Sequence, residues 1–323
     1  MQKNALIKVF WVVFLLASPV LLSAYGSADT KPKPGQWLDN AGEEKDFAAV
    51  IQQLLRADVV LLGEAHDSKD SHQEQARVIA ALSEQLDQQH SAVALGMEQL
   101  DLDYVNDLRQ HNRPGQVRTA RSIAKAGGFD EQGWGWSQYE PIFHQAAKHS
   151  LAVFPLNLSR DDARVIATSA DDEWRLALTD EQLAVVDQLA PDLRLPNAAQ
   201  QALQDVLAQA HCHEVSDNHT ARVARAQIVR DILMAKAIVD ARKQHEGHQI
   251  VAIMGNQHAL KTRGVPYWLA QMQPQLDVAV VGMLPVNTPG GDQMQQQPPL
   301  GFDWRYFAEP VERPDFCATD DSN

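Results

Sequence analysis

Short apolar runs recur along the chain, and most of them stop at a small group of polar residues. The run at 59–62, Val-Val-Leu-Leu, passes straight into Gly63, Glu64, Ala65 and His66. Runs at 91–95, 151–156 and 249–254 end at Gly96-Met97-Glu98-Gln99, at Asn157, and at Gly255-Asn256-Gln257-His258. A further run at 278–281 leads to Gly282 and Met283 and has no such group. Continuous apolar runs of this length suit strands covered on both faces, as in a parallel sheet. Between them the pattern changes to helical spacing. Phe47, Val50, Ile51, Leu54 and Leu55 mark a helix over 43–56, and helices are predicted over 71–86, 139–149, 160–170, 179–189, 197–209 and 217–244. The alternation predicts an α/β protein of three layers, α/β/α, with a mostly parallel central sheet and a helical, irregular insertion.

In open α/β sheets, ligands sit in the crevice outside the carboxyl ends of the strands. Glu64 and His66 lie two apart at such an end and point to one face if the strand geometry persists. Asp67 or Ser68 can cap the next helix, which carries His72 and Gln73. Glu98, Asn256 and His258 come from other strand ends. Packing does not require polar groups at several strand ends, whereas a site on the sheet's edge does. The expectation is therefore that Glu64, His66, Glu98 and His258 converge on one pocket, although nearly two hundred positions separate the first from the last.

Composition narrows the partners. The net charge is −14, and removing Lys3 and Lys8 with a leader takes it to −16. A chain this acidic repels nucleic acid, so no nucleic-acid partner is expected. Lys3 and Lys8 precede an apolar run at 9–22, and Ser23, Ala24, Gly26 and Ala28 follow. That order predicts a cleavable signal peptide over 1–28 and export to the periplasm. A linker is expected over 29–42, rich in Lys and Pro at its start, followed by a single domain over 43–323. The cysteines are Cys212 and Cys317. Neither lies near the leader, so a lipid-anchored protein is not expected, and in an exported chain two thiols read as a disulfide.

One internal stretch stands apart from the acidic background. Arg109, Arg113, Arg118, Arg121 and Lys125 occur with no acidic residue between Arg109 and Gly128. The segment 109–136, which ends in Gly133-Trp134-Gly135-Trp136, is expected to be a basic insertion or lid, and 285–299, rich in Gln, Gly and Pro, an exposed loop. Either the basic run is an ordinary solvated surface, or it gathers positive charge near an anionic ligand.

The ordered motifs resemble the ChaN-like family of haem-binding uptake proteins within the wider Tiki-like superfamily. They are GEAHD at 63–67 with His72 and Gln73, GMEQ at 96–99, WSQYEPIF at 136–143, LNLSRDDAR at 156–164, AQIVRDILMA at 226–235 and GNQHALKTRGVP at 255–266. His211-Cys212, FDWRYF at 302–307 and DFC at 315–317 complete the set, which spans roughly 45–317. The resemblance implies a haem protein linked to iron acquisition, a homodimer with facing haems, and an outer-membrane haem receptor as a further partner.

Haem needs an axial ligand, an apolar slot and positive charge for its propionates. The candidate ligands are His66 and His258, with Tyr104 and Tyr139 as alternatives. Glu64, His72, Glu98 and Asn256 are the candidate surround, and Arg113, Arg118 and Arg121 the candidate cations. The competing function is a hydrolase dependent on a divalent metal ion, in which Glu64, His66 and His258 hold the metal and Glu98 activates water. In a third, structural role, His66 and His258 simply hydrogen-bond their carboxylate and amide neighbours.

Overall fold

The computed structural model describes residues 31–212, 214–286, 301–313 and 317. The chain divides into units Met1–Lys31 and Pro32–Asn323, and the architecture below is that of the second. The expected signal peptide and nearly all of the 285–299 loop lie outside the described residues.

The strands are β1 (Trp37–Asp39), β2 (Glu44–Lys45), β3 (Val59–Glu64), β4 (Val93–Asp101), β5 (Ala152–Asn157), β6 (Gln249–Gly255), β7 (Val278–Pro285) and β8 (Trp304–Ala308). They form one sheet in the order β2-β1-β8-β7-β3-β6-β4-β5. From β8 to β5 every pairing is parallel, and β1 pairs antiparallel with both β8 and β2. The helices are α1 (Phe47–Leu54), α2 (Lys69–Gln88), α3 (Val105–His111), α4 (Ala120–Ala126), α5 (Trp136–Lys148), α6 (Arg160–Thr168), α7 (Asp180–Leu189), α8 (Asn197–Ala210), α9 (Asp217–Gln244), α10 (Asn256–Ala259) and α11 (Val265–Met272).

Side chains alternate across a strand, so each run of β3 feeds two cores. Val59 and Leu61 pack into the core under α6–α9 and α11, while Val60 and Leu62 pack into the core under α1–α5. On β6, Ile250, Ala252 and Met254 face the first core, and Val251 and Ile253 the second. Burial on both faces is why these strands are apolar without interruption. It produces the three layers expected from the sequence.

Two segments differ from expectation. Within the predicted linker, Trp37 is buried, packs on the Tyr306 ring at 5.3 Å and donates its indole N–H to Glu74 at 3.1 Å. A run of three residues is too short to show strand periodicity, and the aromatic anchor forms it by tertiary contact. The segment 109–136 is not a lid detached from the domain. Its Ala120, Ile123 and Ala124 are buried in the core beneath α5.

Strand β5 lies at one edge of the sheet. There Asn112, just after α3, donates from Nδ2 to the Val153 carbonyl at 2.8 Å and accepts the Val153 N–H at 3.2 Å. One side-chain amide thus takes the place of one rung of a neighbouring strand.

Candidate functional site

The carboxyl ends of β3, β4 and β6 meet at a cavity of about 1010 Å3. Glu64, His66, Glu98, Asn256 and His258 all line it, as does Trp134. The parallel register explains the meeting. Glu64 is paired with Gly255, and Met97, just before Glu98, with Ile253. Gly255 leaves room at this junction: a Cβ there would lie 2.9 Å from His66 Nε2, and the ring would have to shift.

Glu64 is the hub of one half. Its Oε1 accepts the Tyr139 hydroxyl at 2.5 Å, the Gln99 amide at 3.1 Å and His66 Nδ1–H at 2.9 Å. His72 Nε2 lies 3.5 Å from Oε2, and its Nδ1 faces Gln138 at 3.3 Å. Burial alone would push the Glu64 carboxyl up, but the His72 and His66 rings outweigh it and hold it well below the usual carboxylate range. For His66, burial works against protonation, yet the Glu64 hydrogen bond and the Glu98 and Glu64 charges raise its pKa to about 9.

The other half is centred on Glu98. Its Oε2 accepts the Gly255 N–H at 2.7 Å, and its Oε1 accepts Arg230 at 2.7 Å with His258 Nε2 at 3.3 Å. Arg230 also donates from Nε to Asn157 at 2.9 Å. His258 Nδ1–H donates to Asp231, a buried neighbour of Arg230 on α9. Burial opposes both charges of the Glu98–His258 pair. The His258, His66 and Arg230 charges nevertheless keep Glu98 well below its usual range, and Glu98 and Asp231 raise His258.

The histidines therefore differ in what they can offer a ligand. His258 is buried, with Nδ1 turned to Asp231 and Nε2 to Glu98. His72 is fully enclosed. His66 has 45% of its side chain exposed, stands edge-on to Trp134 at 5.1 Å, and among the described residues no group hydrogen-bonds its Nε2. Asn256 is structural: it donates to the Met283 carbonyl at 2.7 Å and accepts the Met283 N–H at 3.3 Å, bracing β6 against β7.

The remaining expected residues lie elsewhere. Tyr139 is buried on α5 and committed to Glu64, whose charge, after burial itself, pushes the phenol well above its usual range. Tyr104 is partly exposed, packs over Gly128 and does not line the cavity. Arg113, Arg118 and Arg121 do not reach it either. Arg118 binds the Leu151 carbonyl and Asn112, and Arg121 pairs with Glu131 at 2.6 Å over the Trp136 ring. Arg118 is thus held by the polar groups at the start of β5 and Arg121 by its helical surroundings. The metal set does not assemble, because His258 has no nitrogen to spare. Among the described residues no group of three His, Cys, Asp or Glu side chains is arranged to hold a metal ion.

Gln99, Trp134, Arg230 and Asp231 were not among the expected site residues. The signal for the last two was available. Arg230-Asp231 is a charged doublet between Ile228-Val229 and Ile232-Leu233-Met234, in a helix otherwise buried at those positions.

The family model described as haem-binding uptake, Tiki superfamily, ChaN matches residues 50–269. The chain belongs to this family. Its fold is similar to that of ChaN of Campylobacter jejuni, solved with cofacially bound haem: TM-score 0.66 and 21% identity, over 85% of this chain and 97% of that one. More remote likenesses are a succinoglycan biosynthesis protein (TM-score 0.40, 12% identity, 76% and 71% covered) and the type III effector HopBA1 (0.42, 10%, 81% and 92%). A search of the curated proteins finds no match.

Proposed function

We propose that this ChaN-family protein is an exported haem-binding protein of haem and iron uptake, and that it takes haem at the cavity on the carboxyl edge of the sheet. The observation that carries the proposal is the state of His66. Its Nδ1–H is held by a buried carboxylate, which fixes the ring and makes Nε2 the donor, and Nε2 has no partner among the described residues. Haem-ligating and metal-ligating histidines are commonly oriented by such a second hydrogen bond. The donor set fits haem better than a hydrolytic metal, which needs several free protein ligands.

The lining also bears on assembly. Among the described residues, Trp134 is the one large apolar side chain in the lining. That is too little apolar surface to enclose both faces of a porphyrin. We therefore place a second copy of the chain, with its own haem, across the open side, as a cofacial homodimer. Export to the periplasm, without a lipid anchor, is supported by the leader pattern of Lys3, Lys8 and the apolar run 9–22, and by the Cys212–Cys317 disulfide. An outer-membrane haem receptor is the source that location calls for.

The test is a haemin titration followed at the Soret band, with sedimentation of the product. Wild type is expected to bind haemin and to dimerise as it does so. His66→Ala should move the band and weaken binding, whereas His258→Ala should destabilise the protein without changing the type of spectrum. If Tyr104→Phe, and not His66→Ala, abolishes the ligand band, iron is held by the exposed tyrosine and the His66 assignment fails.

A further inference from the structure

Among the described residues, the guanidinium groups lining the cavity are those of Arg230 and Arg313. Arg230 belongs to the inner wall, where Glu98 and Asn157 take up its Nη2 and Nε. Arg313 is different. It comes from the chain beyond β8, and its Nε donates to Asp67 at 2.6 Å while Nη2 donates to the other oxygen of the same carboxylate. A guanidinium has five N–H groups in a fixed fork, so this grip orients it and leaves the Nη1 edge unspent. Asp67 directly follows His66, and Arg313 lines the same cavity as the proposed iron donor.

The segment carrying Arg313 is fastened on both sides. Before it, the Glu309 N–H and the Tyr306 hydroxyl both donate to Asp70, at 2.9 and 3.1 Å, in the first turn of α2. After it, Cys317 is bonded to Cys212 at the end of α8. Cys317 follows Arg313 by four positions, at most about 14 Å of chain, so the disulfide confines the arginine to one neighbourhood. The disulfide joins positions 105 apart, and it brings a C-terminal cation to an edge otherwise built from strand ends.

We propose that Arg313 is the residue that binds a carboxylate of the ligand at this cavity, and that the Cys212–Cys317 disulfide is the tether that holds it in place. The proposal rests on the haem reading, in which the carboxylates are the two propionates. It gives Arg313 the task that the Arg113, Arg118 and Arg121 segment cannot perform from its position. Asp67 acts as a positioning residue: it does not cancel Arg313 but presents it.

The experiment compares haemin with haemin dimethyl ester, whose propionates are esterified, both delivered from the same detergent micelles to the full chain. Arg313→Gln should weaken haemin binding about tenfold, or about 1.4 kcal/mol, and leave the ester's affinity as in wild type. Cys212→Ser with Cys317→Ser should reproduce that selective loss, and adding Arg313→Gln to it should cost nothing more. Asp67→Ala is the second route to the same result, free of any effect of the cysteines on folding. Equal loss for haemin and ester in Arg313→Gln would make the residue structural and overturn the proposal, as would unchanged haemin affinity. If wild type binds both porphyrins equally, the carboxylate role of Arg313 fails while the haem reading stands. If it binds neither, the haem reading itself fails.

Discussion

Replacing Glu98 with Leu tests how the site's floor is held. Glu98 is 1% exposed and accepts from Gly255, Arg230 and His258, so the substitution strands the buried His258, the partly exposed Arg230 and one backbone N–H. Removing one member of a buried ion pair costs about 3–5 kcal/mol, and an orphaned buried N–H about 1–3 kcal/mol. Relaxation of the cavity side, which is open to water, offsets part of this. A net loss of about 4 kcal/mol would be a large share of the 5–15 kcal/mol typical of a whole domain. With a urea slope of ~2 kcal/mol/M, the midpoint should fall by ~2 M. Glu98→Gln keeps the acceptor for Gly255 and the volume, and should cost less. The sharper measurement is the cycle with His258→Leu: the double variant should be less destabilised than the sum of the singles by at least ~1 kcal/mol. The signs of the shifts set the pH window. A depressed Glu98 stabilises the fold above its ordinary value of 4.5 and loses this as pH falls through its folded pKa. A raised His258 stabilises fully below 6.5 and loses this as pH rises through its folded pKa. The gap between wild type and variant should be widest between pH 4.5 and 6.5. Additive single variants, or a midpoint moved by less than ~0.5 M, would refute the account of these contacts as a coupled buried network.

Other outcomes follow from the same geometry. Because the pKa of His66 is raised to about 9, Nε2 would have to give up a proton to hold haem iron; wild-type haemin affinity should climb with pH from 7 and level off near 9, relative to His66→Ala. The gain should stay below about a hundredfold, since a half-exposed ring is screened by solvent, and a flat difference would remove His66 from the iron. Gly255→Ala sets a methyl against His66 Nε2 and should weaken haemin binding more than it lowers thermal stability, a ratio readable from paired titration and melting curves. Mass spectrometry of denatured, non-reduced protein recovered from a periplasmic extract should find the Cys212–Cys317 pair intact and residues 1–24 or 1–28 removed; two free thiols would contradict it.

The sheet and its decorated edge were legible because continuous apolar runs and polar strand ends are local patterns. Parallel geometry does the rest, placing Glu64, Glu98 and His258 together without further information. The basic segment was misleading for a physical reason. A count of arginines says nothing about whether their partners are ligands or the polar groups of β5, as for Arg118. Arg313 was illegible because its place depends on a disulfide and on Asp67, both distant in sequence. The choice between His66 and His258 could not be made either. It turns on Asp231, whose doublet with Arg230 signals burial in α9 but not which strand-end histidine it meets.

Asn112 has a bearing on how copies of this chain can meet. A sheet edge with unsatisfied N–H and C=O groups is a template on which another chain can grow. Here the Asn112 amide occupies the Val153 rung of that ladder, and the opposite end of the sheet terminates in the two-residue strand Glu44–Lys45. Among the described residues both ends are thus blunted, which disfavours fibrous end-to-end addition. That leaves the faces and the cavity rim as surfaces for self-association. A pairing there would come apart when ligand is given up, whereas a strand-to-strand seam would not.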